Sequence, residues 1–239
     1  MIRTAHAVTL LMVLTGCQPN MTSCPAALKD ATRLVLVTTR SIDDTRATFR
    51  TFERSSKIGA WAPASEPESA VVGARGLAWG HPFAKLAQPG EPEKREGDKR
   101  TPAGIYSFGA TFGFDHAKRD GHLLLAAENH YCVDDARSPH YGRIVSKSVA
   151  GEGISGEEMA ANDVYRRGIV IDYPPKRQTK AGSCIFLHIW EGDDIGTSGC
   201  VALPEARVAH LQNWATSNPT VIAILPKAAL SRFKSCLPQ

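Results

Sequence analysis

The alternation of apolar and polar positions along the chain predicts strands far more often than helices. Residues 33–39, "RLVLVTT", form a β-branched, apolar run of the kind that fits a half-buried pleated surface. From Ala47, "ATFRTFER" alternates well enough to answer it across a turn containing Asp43 and Asp44, which predicts a hairpin. "AVVG" and "GLAW" flank further turn chemistry between Gly73 and Gly76, and "GIYSFG", "HLLLAA", "GRIVS" and "RGIVIDY" add short strands. "CIFLHIW", Cys184 to Trp190, is continuously apolar apart from its imidazole and reads as a buried strand. Period-two alternation then sets Cys184, Phe186, His188 and Trp190 on one face and Ile185, Leu187 and Ile189 on the other. "TVIAIL" supplies the last strand.

Helical spacing is rare. "PEARVAHLQNWATSN" carries Val208, Leu211 and Ala215 three and four apart behind Pro204, which predicts an amphipathic helix. In "SGEEMAANDVYRR", Ser155 and Glu158 match a capping box, so a short helix is expected there, ending before Gly168. Many strands with two or three short helices predict a mainly β fold, a sandwich or a partly closed barrel. The stretch "AQPGEPEKREGDKRTPAG" is read as a surface loop with its charges on a solvated turn, since no second core can be assembled beside it.

Composition changes this picture little. The 239 residues suffice for one main domain, and 43% hydrophobic and 22% charged residues exclude wholesale disorder or a polytopic membrane protein. A net charge of +4, scattered along the chain, gives no reason to expect nucleic acid as a partner.

The N-terminus is more informative. Arg3, then "AVTLLMVL", then "TGC" follows the order of a secretory signal, and Leu14-Thr15-Gly16-Cys17 resembles the bacterial lipobox. That resemblance implies a periplasmic lipoprotein acylated at Cys17 and held on the membrane by its lipid, with Gln18 favouring the outer membrane. The expected organisation is a signal over 1–16, a tether over 17–32, the main domain over 33–226 and a C-terminal tail over 227–239. In an oxidising compartment disulfides persist. If Cys17 carries lipid and Cys200 stays free, Cys24, Cys132, Cys184 and Cys236 allow three pairings. Cys24 with Cys236 would tie the termini, and Cys132 with Cys184 would brace the region around Cys200; this is the preferred set, although sequence alone does not decide it.

Between His188 and Cys200 lies "IWEGDDIGTSG", a flexible return rich in glycine and acid. A thiol beside an imidazole forms a thiolate–imidazolium pair when the geometry allows it, and Ser198-Gly199-Cys200 is a small-residue turn able to present backbone amides to an oxyanion. Zinc is a poor alternative, since no further Cys or His stands at suitable local spacing. Asp134 and Asp135 beside Cys132 read as a solvated turn rather than a cation site, and His210 as a surface or packing residue.

His188, the eleven intervening residues and "SGC" before Val201, together with the upstream "EGDKRTPAGIYSFG", resemble the L,D-transpeptidase (YkuD-like) catalytic family from about residue 33 to 225. The resemblance implies a β-rich domain acting on peptidoglycan stem peptides without metal or organic cofactor. By position, Cys200 would be the nucleophile, His188 its base, Gly199 and Cys200 the oxyanion donors, and Ser198 an orienting group for His188 or a shaper of the turn. Trp190 would wall the substrate groove. Hydrolysis of the same bond, as a carboxypeptidase or endopeptidase, and a non-catalytic envelope role with Cys200 in a bridge are the competing expectations. Two departures stand out: Ala202 occupies a position where many members have arginine, and no basic residue separates Ser198 from Gly199.

Overall fold

The computed structural model describes residues 23–116, 119–125, 129–215 and 218–238. Cys17 and the expected signal segment lie outside them. The apolar runs build a closed barrel. Strand β1 (Arg33–Thr39) pairs antiparallel with β2 (Arg46–Glu53), the predicted hairpin, and parallel with β14 (Thr220–Pro226). From β14 the sheet continues through β6 (Thr101–Gly113), β11 (Arg167–Ile171), β12 (Phe186–Ile189), β13 (Val201–Leu203) and β4 (Glu68–Val71) back to β2. Eight strands thus close on themselves, which leaves this ring without a free edge. Two short strands, β5 (Leu77–Trp79) and β7 (Leu123–Leu124), pair with β6, and β3 (Ala62–Pro63) extends β2.

A separate antiparallel sheet of three short strands, β8 (His130–Val133) flanked by β9 (Ile144–Ser146) and β10 (Gly156–Glu158), lies beside the barrel. It replaces the helix expected from the capping-box pattern. Ser155 Oγ donates to Asp134 Oδ1 (2.5 Å) instead of capping a helix, and Glu158 pairs with Lys147. Single 3₁₀ turns over Met159–Ala161 and Asp163–Arg166 carry the chain on to β11. The expected C-terminal helix is present as α3 (Glu205–Trp214), with Val208, Leu211 and Ala215 buried. Two shorter helices, α1 (Ala26–Asp30) and α2 (Lys147–Ala150), precede it.

Residues 227–236, expected as a tail, wind into 3₁₀ turns that bury Ala229 and Phe233 in the main core. Their apolar positions give them that hold. The Cys24–Cys236 disulfide ties α1 to this segment, with Cα atoms 5.4 Å apart. Cys132–Cys184 joins β8 to the approach to β12. These are the preferred pairs.

The charged segment before β6 lies at the surface with Glu93, Arg95 and Lys99 exposed, but part of it is held down. Arg232, 3% exposed, grips Glu91 through two hydrogen bonds (2.7 and 2.9 Å) and stacks on Trp79. Lys94 is 5% exposed. Charges of opposite sign from distant segments compensate one another, so the loop packs down.

Candidate active site

Strand β12 divides its side chains between two cores. Ile185, Leu187 and Ile189 enter the main core, whereas Phe186 joins a smaller cluster that includes Phe112, Tyr165 and Cys200. His188 stands on the Phe186 side, edge-on to the Tyr165 ring at 5.2 Å. The strand is shorter than predicted because Cys184 takes a left-handed backbone conformation (φ 53°), which ends the extended run. Opposite His188 in β11 is Gly168, where a Cβ would meet the Phe112 ring at 2.2 Å. Only glycine lets that ring cover the strand there.

Cys200 stands just before β13, whose parallel register sets Leu187 against Val201. The turn that delivers it is fixed from two sides. Thr197 Oγ1 donates to the Cys200 carbonyl (2.7 Å) and accepts from the Gly199 N–H (3.1 Å). Thr101, at the start of β6, donates to the same carbonyl (2.9 Å) and accepts from the Gly73 N–H (2.8 Å). The upstream Arg-Thr-Pro segment therefore pins the thiol-bearing turn directly, across 99 residues of sequence.

This geometry revises two expected roles. Ser198 is exposed, and Thr197 is the residue whose hydroxyl shapes the turn, because it reaches an N–H and a carbonyl at once. The Gly199 N–H is already engaged by Thr197, so of the two expected oxyanion donors only the Cys200 amide remains a candidate.

Cys200 is a free thiol, 6% exposed, not half of a bridge. Sγ accepts from the Phe186 N–H (3.3 Å) and donates to the Cys184 carbonyl (3.5 Å). His188, equally buried, donates from Nδ1 to the Ile189 carbonyl (2.7 Å), which leaves Nε2 as the acceptor nitrogen. Thiol and imidazole line the same cleft of about 390 Å³. Among the described contacts there is no direct hydrogen bond between them.

Burial pushes the Cys200 thiol up to about 12, opposed by the Phe186 N–H, and burial holds the His188 imidazole down at about 4. Desolvation is the largest influence on both and favours the neutral thiol and the neutral imidazole. The dry surroundings therefore disfavour the thiolate–imidazolium pair that the sequence suggested.

Trp190 lines the cleft, as do residues that sequence reasoning missed. Tyr165 donates to Glu157 Oε2 (2.8 Å), and burial raises the Glu157 pKa. Asp134 shares that wall. Asp135 is buried and bound by Arg137, not solvated. Lys94 lines the cleft at another point. Among the described residues no group of three His, Cys, Asp or Glu side chains is placed to hold a metal ion.

Comparison with known proteins adds the following. The model of a family described as YkuD, L,D-transpeptidase catalytic domain, matches residues 42–224. No curated protein matches the chain. Among solved structures, the chain is similar to the helical cell shape determining protein Pgp2 from Campylobacter jejuni, at 15% identity and a TM-score of 0.41, over 82% of this chain and 48% of that one. It is also similar to Bd1075 from Bdellovibrio bacteriovorus, at 16% identity and a TM-score of 0.42, over 92% of this chain and 56% of that one. The chain spans about half the length of these structures.

Proposed function

The chain belongs to the YkuD family of L,D-transpeptidase catalytic domains, and from that premise we propose that it is a cysteine acyltransferase acting on peptidoglycan stem peptides. Cys200 attacks the carbonyl that joins the L-centre of a diamino acid to the following D-residue. The thiol proton passes to His188 Nε2 and then to the leaving amine, while the acyl group stays on sulfur as a thioester. An amine from a second stem peptide takes the acyl group and returns the thiol. The observation that carries this reading is a free thiol sharing a cleft with an imidazole whose Nδ1–H is committed to the Ile189 carbonyl, so that its other nitrogen serves as base. With dry surroundings favouring both neutral forms, the proton moves as the sulfur attacks and not before. The Cys200 amide donates to the oxyanion, and Trp190 walls the groove.

The test is incubation of the purified protein with tetrapeptide and pentapeptide muropeptides, followed by mass spectrometry. Dimers linked through two diamino acids are expected, and Cys200→Ala should abolish them. Shortened monomers without dimers would make water the acceptor, and unchanged material would remove the enzymatic reading.

We further propose that Cys17 carries the lipid that holds the domain at the periplasmic face of the outer membrane. The support is the Leu-Thr-Gly-Cys motif behind an apolar run. The parent precursor should label with palmitate and Cys17→Ser should not; equal labelling would sink the anchor.

A further inference from the structure

Lys94 belongs to the charged segment before β6, yet its side chain is only 3% exposed and it lines the cleft. An ammonium has three N–H donors. One goes to Asp98 Oδ1 (2.5 Å) and one to the Arg95 carbonyl (2.9 Å). The third has no partner among the described residues. A buried donor left open in this way is costly unless something meets it.

The ammonium is held in place before any ligand arrives. Asp98 is itself fixed by the backbone N–H groups of Arg95 (2.8 Å) and Arg100 (2.9 Å). The aliphatic stem lies against Gly182, where a Cβ would come within 2.8 Å of Lys94 Cε. Nζ stands 3.7 Å from the place a Cβ on Gly199 would occupy, one residue from the nucleophile. The other charged groups lining the cleft are carboxylates, Asp134, Glu157, Glu191 and Glu96, the last accepting from the Tyr141 and Ser183 hydroxyls, so an anionic group finds its charged donor at Lys94.

Resting on the proposed reaction, we infer that Lys94 is the residue that holds the C-terminal carboxylate of the D-residue that leaves. A terminal carboxylate lies two bonds beyond the scissile nitrogen, close enough to reach a cation one residue from the sulfur, since successive Cα atoms are about 3.8 Å apart. In a peptide longer by one residue, an uncharged amide stands at that point. Lys94 thus supplies a cation beside the Ser198–Cys200 turn from a distant segment.

The test measures binding by calorimetry, with the full chain carrying Cys200→Ala. The ligands are a stem tetrapeptide with a free C-terminal carboxylate and the same peptide as its C-terminal amide. The acid should bind roughly ten- to a hundredfold more tightly, the range of a charge-assisted hydrogen bond. Adding Lys94→Met should bring the ratio to about one, and Lys94→Arg should keep most of it. Equal binding of acid and amide, or a preference undiminished by Lys94→Met, overturns the inference. Should the Met variant fail to fold, as judged by near-ultraviolet circular dichroism, the ratio for Cys200→Ala alone and its retention in Lys94→Arg still decide. A preference that follows Lys94 in a protein whose parent turns over no muropeptide would keep this site and discard the reaction.

Discussion

The barrel interior and the smaller cluster beside it share strand β12 but are held together by different means. The interior is filled by aliphatic side chains from strands that close a ring, among them Leu34, Leu187, Val201 and Ile224, all fully buried. Its strands pair around the ring, down to a single residue pair between β13 and β4. The smaller cluster is built from rings set edge-on: Phe112 on Phe186 at 5.2 Å, Tyr165 on Phe186 at 5.7 Å, and Tyr165 on His188. A sulfur and a hydrogen-bonded carboxyl complete it. Its lid is a sheet of three- and four-residue strands, too small to be stable alone. The lesson is that the reactive pair sits in the smaller, ring-built cluster and not in the aliphatic interior of the barrel. Groups there can be desolvated without having to contribute to the fold.

The largest effect that separates the two regions is expected from the Cys132–Cys184 bridge, which fastens the lid to the strand bearing His188. Replacing both cysteines by serine should cost about 2–4 kcal/mol, the usual range for a native disulfide. The loss should fall on the lid. Amides of β8, β9 and β10 should exchange faster while those of β1 and β14 keep their protection. Alkylation of Cys200 should also accelerate, because the Cys184 carbonyl that receives its S–H is carried by the same residue. Equal loss of protection in β1 and β14 would mean that the two regions unfold as one.

The same contrast governs what could be read from the sequence. Strands β1, β12 and β14 and helix α3 are legible because burial of one or both faces imposes a period on the residues themselves. The expected helix from Ser155 fails because its signal is two residues long, and both have partners elsewhere, Asp134 for Ser155 and Lys147 for Glu158. His188 and Cys200 stand out by chemical type and spacing. Lys94, Thr197, Glu157 and Tyr165 do not, since their roles come from contacts that close in space across the chain, and Thr101, although inside the Arg-Thr-Pro motif, shows its hold on Cys200 only in the fold. Lys94 sits in a charged stretch that composition alone assigns to solvent, and the Glu91–Arg232 pair that holds part of it down joins residues 141 positions apart. The resting protonation state was equally hidden, because spacing tells which groups meet but not how dry their surroundings are.

A smaller effect sharpens the comparison from the side of pH. Burial holds the His188 imidazole at about 4 in the folded protein, against about 6.5 for an unfolded histidine. Above pH ~6.5 both states are neutral and the group contributes no pH dependence. As the pH falls below that value the unfolded chain takes up a proton that the folded site refuses, so stability drops until the folded imidazole also charges near 4. Between pH 7 and pH 5 this amounts to about 2 kcal/mol, at 1.36 kcal/mol per pH unit. Denaturant unfolding of the parent and of His188→Gln at those two pH values should show the parent losing that much more than the variant. Equal losses would mean that the folded imidazole already carries its proton. The smaller cluster would then be wet enough to hold a charge, and its contrast with the barrel interior would fail at the residue on which the proposed chemistry depends.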